Sequence, residues 1–424
     1  MAGGSASTSA LGFWSLLSLG INGIVGVGIF FAPREVAGLV PGSLGLGVYL
    51  ATALCLAPVA GVYALLGSRF AEDGGPYVWA RAAFGDSASY FVGWVTAVSA
   101  LFSTAAVIGG LALHVAPLLS LSGEAGRAAV ALGSVVLLGG VAAVGLRPSA
   151  WAWTVLTLAK LAPLVALVLA SAASESRSLP ETGGVTGSAF GRAMLVCIFA
   201  TQGFEIVAVP AGHVRSGRWA VGAATVGALL VAAALYTLLH AACLVLPDLA
   251  SREAPLVAAA GVHGGARLAR GVEIATTVSA LGIAFGMMAM TPRYVAALGR
   301  TEALGRWLSR ESRQAVPLRA LGMVVLLVAL LGAGPGLQAL FVLSAVAVVA
   351  QYSVSALSLL VLSTRRRHQL GPRHVAVALA ALVPVALVGA ATRWTELLFV
   401  LVTLLVGAGV LALRRAAGAG RSPD

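Results

Sequence analysis

The sequence predicts an all-α membrane protein that crosses the bilayer many times. Three observations carry that prediction. The 424 residues are 59% hydrophobic and only 10% charged, whereas a soluble domain carries about 25% charged residues. Apolar runs long enough to span about 30 Å of hydrocarbon recur along the whole chain. The runs show no strand-like alternation, and a backbone in lipid must satisfy its own hydrogen bonds, so they are helices.

Twelve runs are expected, near residues 13–32, 43–66, 90–112, 127–145, 150–170, 189–209, 220–246, 268–291, 318–333, 337–362, 375–391 and 395–413. The start, "MAGGSASTSA", has no Lys or Arg. It lacks the basic opening of a secretory signal, so the first run is expected to be retained. Cys55, Cys197 and Cys243 lie inside apolar runs without metal-like spacing and read as small apolar residues.

Orientation follows from the basic residues. Lys160 is the single lysine; the other basic side chains are arginines. With the N-terminus inside, eighteen arginines fall in inner segments and eight in outer ones. Both termini are therefore expected in the cytoplasm, in a multi-pass protein of the cell (inner or plasma) membrane. The same bias accounts for the net charge of +12 without a nucleic-acid partner. "STRRRHQLGPRH" joins two spans and follows the inside rule.

Two runs are interrupted. The first contains "GINGIVGVGIFFAP", with glycines at 20, 23, 26 and 28; Gly within a helix costs about 1 kcal/mol against Ala. The sixth contains "CIFATQGFEIVAVPAG", where Thr201, Gln202 and Gly203 break the apolar pattern and Glu205 follows. Either segment alone fits close helix packing equally well. Together they lie five helices apart, an odd number, so a second five-helix unit would enter the membrane inverted. Interrupted helices at matching positions of an inverted repeat point to a transporter substrate site.

A charge sits at mid-depth of the fifth run. Lys160 is about eleven residues from its start, near 16 Å deep at about 1.5 Å per residue. A lysine there faces the protein interior and has a partner or a task.

These segments resemble the amino acid–polyamine–organocation (APC) transporter superfamily, in its proton-coupled and exchanging amino acid permease branch. "GIVGVGIFFAP" is similar to the glycine-rich first-helix signature, with Val27 where the family usually has a small hydroxyl residue or Ala. "RFAEDGGPYVWARAAFG" (69–85) is similar to the first cytoplasmic loop, "FATQGFE" (199–205) to the sixth-helix break, and "SALGIAFGMMAMTPR" (279–293) to the eighth helix.

The resemblance implies a leucine-transporter-like fold. Residues 1–170 and 171–362 would form two inverted five-helix repeats, and 363–424 two further helices and a tail. It implies a secondary transporter, by proton symport or exchange, and no enzyme. Backbone N–H groups of Val27, Gly28 and Ile29 at a half-helix start suit a substrate carboxylate. Freed carbonyls of Gly23, Ile24, Phe199 and Ala200 suit its ammonium. Gly26 and Gly203 belong to the breaks, and Phe199 falls where the family places an aromatic gate. Lys160 resembles the fifth-helix lysine that replaces a sodium ion in some members. Its amine is expected to bridge the Gly23 carbonyl and the eighth helix at Ser279. Glu205 either relays protons or pins the broken helix.

The expected substrates are small or medium neutral L-amino acids, with protons as the coupling ion and no sodium requirement. Amines, polyamines or cationic amino acids are the alternative, which calls for more pocket carboxylates than Glu205. A membrane-embedded enzyme or channel is more remote. No metal cluster, Ser-His-Asp set or nucleotide loop appears, so neither metal nor cofactor is expected.

Overall fold

The computed structural model describes residues 12–26, 28–70, 75–121, 123–145, 150–174, 184–208, 214, 218–300, 307–314, 316–332 and 336–419. Among them are fourteen α-helices: α1 (Phe13–Ile24), α2 (Gly28–Leu39), α3 (Leu44–Gly67), α4 (Pro76–Phe84), α5 (Asp86–Leu118), α6 (Gly123–Ala143), α7 (Ala150–Ala173), α8 (Gly187–Thr201), α9 (Arg218–Cys243), α10 (Pro255–Arg300), α11 (Leu318–Gly332), α12 (Leu337–Thr364), α13 (Pro372–Ala391) and α14 (Trp394–Ala419). Short 3₁₀ turns follow α8, at Phe204–Ala208, and α9, at Leu249–Ser251.

Seven of these helices are individually long and apolar enough to cross a membrane, and α1 with α2, bent by 46° at their junction, makes an eighth. Four further apolar helices are shorter: Thr157–Ala173, Gly187–Thr201, Leu318–Gly332 and Pro372–Leu387. Large apolar side chains point outward along the helices, with Leu54, Leu137, Leu158, Leu330, Leu387 and Leu405 all well exposed. So much outward apolar surface is stable only against lipid.

The interior is equally clear. In α12, 67% of the most apolar window is buried, against 11% for α14, so α12 is central and α14 peripheral. α5 packs on both α10 and α12, α9 on α1 and α3, and α7 on α10. α7 shows how the sequence sets a helix's rotation. Thr157, Lys160, Leu164 and Leu167 recur at helical spacing and are buried, while Leu158 and Leu169 on other faces are exposed. Lys160 is thus turned inward by its own apolar neighbours.

Two elements depart from the expected runs. α4 lies in the loop between the second and third runs, opened by Pro76 at a position where a missing N–H costs nothing. α10 begins well before residue 268 and contains a non-helical residue, Gly265, that kinks it.

Candidate functional site

Both interrupted runs are broken where the residues require it. α1 ends at Ile24; Val25 N–H still reaches the Ile21 carbonyl (2.8 Å), and Gly26 N–H turns back to the Ile24 carbonyl (2.7 Å). Val27 lies outside the described residues, and α2 starts at Gly28. In the other segment α8 ends at Thr201, Gln202 caps it, and Gly203 adopts a φ of 125°. That left-handed conformation suits glycine alone.

The breaks cross at van der Waals distance. A side chain at Gly203 would run into the Gly23–Ile24 peptide, and one at Gly23 would lie 3.0 Å from the Gly203 carbonyl. A Cβ at Gly28 would sit 2.6 Å from the Ala200 Cα, whereas one at Gly26 would meet only the Ile283 side chain, at 2.9 Å. Gly23, Gly28 and Gly203 are therefore needed for close approach. The same arrangement leaves the first N–H groups of α2, on Gly28 and Ile29, without intrahelical partners.

Lys160 reaches this junction from α7. Its amine donates to the Asn22 carbonyl (3.1 Å) and to the Val25 carbonyl. Ser279 Oγ, on α10, donates to the same Val25 carbonyl (3.2 Å). The amine thus meets Asn22 and Val25 where Gly23 was expected, and Ser279 joins it through a shared acceptor. The reason is geometric: these carbonyls lie at the C-terminal end of α1, where the helix presents unpaired, partially negative oxygens. No described carboxylate is paired with the ammonium.

Tyr236, buried on α9, ties the two breaks together. Its hydroxyl lies within donating distance of the Ile24 carbonyl (2.8 Å) and the Ala200 carbonyl (3.1 Å). Gly26 N–H also donates to the Ile24 carbonyl. Tyr236 has a single proton to share between the two carbonyls, so neither is fully taken by it. Gln202 N–H donates to both the Ile198 (3.1 Å) and Phe199 (3.3 Å) carbonyls.

Glu205 folds back on its own break. Its Oε2 accepts from Gly203 N–H (2.9 Å) and from the Tyr352 hydroxyl (3.3 Å). Tyr352 in turn packs with Tyr63 and Phe204, the three rings edge-on or tilted against one another.

On the other side of the break, Gln202 Oε1 lies 3.2 Å from Ser103 Oγ of α5 and 3.3 Å from Ser344 Oγ of α12, and the two hydroxyls are 2.5 Å apart. Phe199 stacks on Phe341 at 4.4 Å, and Phe31 lies 5.8 Å from Phe341. Phe31 and Phe341 also line a cavity of about 860 Å³ that carries Arg34, Glu35, Glu124 and Arg127. Phe341 thus joins the cavity lining to Phe199, in the last turn of α8. On the opposite side the loop after α12 is tied down: Arg69 donates to Gln369 (2.7 Å) and Arg365 to the Ala83 carbonyl (3.2 Å).

Tyr236, Asn22, Ser103, Ser344 and Phe341 escaped the sequence reading. A tyrosine or serine within an apolar run carries no sign of which neighbouring helix it faces. Gln202 did stand out as a break in the sixth run, and Asn22, a polar residue beside Gly23 in the first, carried the same kind of signal.

A bundle of apolar helices, broken twice at one buried polar junction, defines a multi-pass membrane transporter. A model of the amino acid permease family matches residues 11–416, and the chain belongs to that family, within the APC superfamily. It is a transporter and not an enzyme. An uncharacterized transporter of Mycobacterium tuberculosis is 30% identical over 361 residues, which cover 83% of this chain and 80% of that protein. An arginine/ornithine antiporter of Pseudomonas aeruginosa is 25% identical over 336 residues, 74% of this chain and 69% of its own. A serine/threonine exchanger of Bacillus subtilis is 23% identical over 240 residues, 55% of this chain and 54% of its own.

Proposed function

We propose that this permease moves small or medium neutral L-amino acids by proton symport or exchange, with Lys160 standing where a sodium-coupled relative would bind the ion. The observation that carries the reading is the Lys160 amine on the Asn22 and Val25 carbonyls, beside Ser279. Broken-helix carbonyls are where transporters of this architecture hold a coupling cation. A fixed ammonium there removes the need for sodium. Losing its proton would weaken the hold of α7 and α10 on the first break, which links proton transfer to the alternation between states.

The substrate lies across the two breaks. Its carboxylate meets the free N–H groups at the start of α2, Gly28 and Ile29, with Val27 beside them. Its ammonium meets the Gly23, Ile24, Phe199 and Ala200 carbonyls. The fold reads as twelve spans: the α1–α2 pair, α8 with its 3₁₀ turn, and one span each from α3, α5, α6, α7 and α9 to α14. Residues 1–170 and 171–362 form inverted repeats, with 363–424 appended. With both termini cytoplasmic, the large cavity opens outward and the Phe199–Phe341 stack closes over the site.

Cationic substrates are the second reading, favoured by the name of the Pseudomonas relative. Among the described break residues only Glu205 is acidic, and its Oε2 is engaged by Gly203 and Tyr352. Uptake of labelled neutral and cationic amino acids into proteoliposomes separates the two. The neutral reading predicts that an amino acid ester or the decarboxylated amine fails to compete; equal competition by either would contradict it.

A further inference from the structure

We propose that Gln202 selects the substrate's side chain, and that the preferred substrates are small hydroxyl-bearing L-amino acids of the serine and threonine class. The inference rests on the amino acid reading above and deepens it. Gln202 is the capping residue of α8, between the last helical residue and Gly203, so its backbone belongs to the break itself. One end of its carboxamide faces the hydroxyls of Ser103 and Ser344. The other end, Nε2, is buried and meets no acceptor among the described residues.

A buried amide held at one end and unpaired at the other is costly, and burying it against a purely apolar ligand leaves that cost in place. A ligand hydroxyl removes it. The hydroxyl both donates and accepts, so it can pair with whichever end of the carboxamide is left without a partner. Sites built around a polar partner reject the isosteric apolar ligand far more strongly than apolar pockets reject an added hydroxyl. Ser103 and Ser344 come from α5 and α12, so they fix the amide from two helices and act as positioning residues.

The test compares isosteres on the purified, detergent-solubilised parent and on Gln202→Met, by equilibrium binding of labelled L-threonine, L-valine, L-serine and L-alanine. Threonine is expected to bind at least about tenfold more tightly than valine to the parent, and the ratio should fall towards one in Gln202→Met. Equal binding of threonine and valine to the parent, or an unchanged ratio in Gln202→Met, overturns the proposal. Should Gln202→Met fail to fold, Ser344→Ala takes its place. Loss of one support of the amide must then narrow the same ratio, and an unchanged ratio again overturns it. Equal threonine and valine binding with the decarboxylated amine excluded would leave the amino acid reading intact. Binding of none of the four amino acids would overturn both.

Discussion

At the scale of single residues, the glycines of the two breaks divide by what a side chain would strike. Gly203 has a positive φ and faces backbone, whereas Gly26 faces the flexible end of Ile283. Gly203→Ala is therefore expected to cost about 2 kcal/mol or more through strain and overpacking, and Gly26→Ala less. The melting temperatures of the two purified variants check this, and equal losses would contradict it. Gly28 cannot separate packing from carboxylate binding, because a Cβ there meets Ala200 backbone. Lys160 and Glu205 were legible from sequence because a charge inside an apolar run demands a partner. The partners were not, because a single sequence carries no record of how one helix is rotated against another. Hence Asn22 and Val25, not Gly23, receive the amine.

At the scale of elements, the two broken helices behave as one unit held by Tyr236. Tyr236→Phe removes the donor shared by the Ile24 and Ala200 carbonyls and leaves buried acceptors short of a partner, a loss of about 1–3 kcal/mol. The conformation with the cavity open should become less populated. A cysteine placed at Ala128, which lines that cavity, should then react more slowly with a membrane-impermeant thiol reagent than in the Tyr236 parent. An unchanged rate would mean that Tyr236 is only a packing residue. The helices themselves were largely legible, since apolar length fixes where a span begins and ends. α4 was not, because its residues, Pro76–Phe84, are part of a mixed polar and aromatic loop motif. The kink at Gly265 was hidden within a longer helical stretch.

At the scale of the whole molecule, the arginine asymmetry predicts that both termini face the cytoplasm. Reporter fusions active on one side of the membrane only should report the cytoplasmic side at each end; opposite sides would require an odd number of spans. On the proposed reading, the tied loop after α12 and the cavity lined by Phe31 and Phe341 represent one state of an alternating cycle that Lys160 drives in place of sodium. Arginine keeps the charge but cannot lose its proton, and alanine removes both. The direct measurement is uptake of labelled L-threonine or L-alanine into proteoliposomes across a range of pH, with and without sodium, for the parent, Lys160→Arg and Lys160→Ala. The parent should transport equally with and without sodium and vary with pH, and both variants should lose that variation. A parent that requires sodium, or a Lys160→Ala variant that keeps the parent's pH profile, would contradict it.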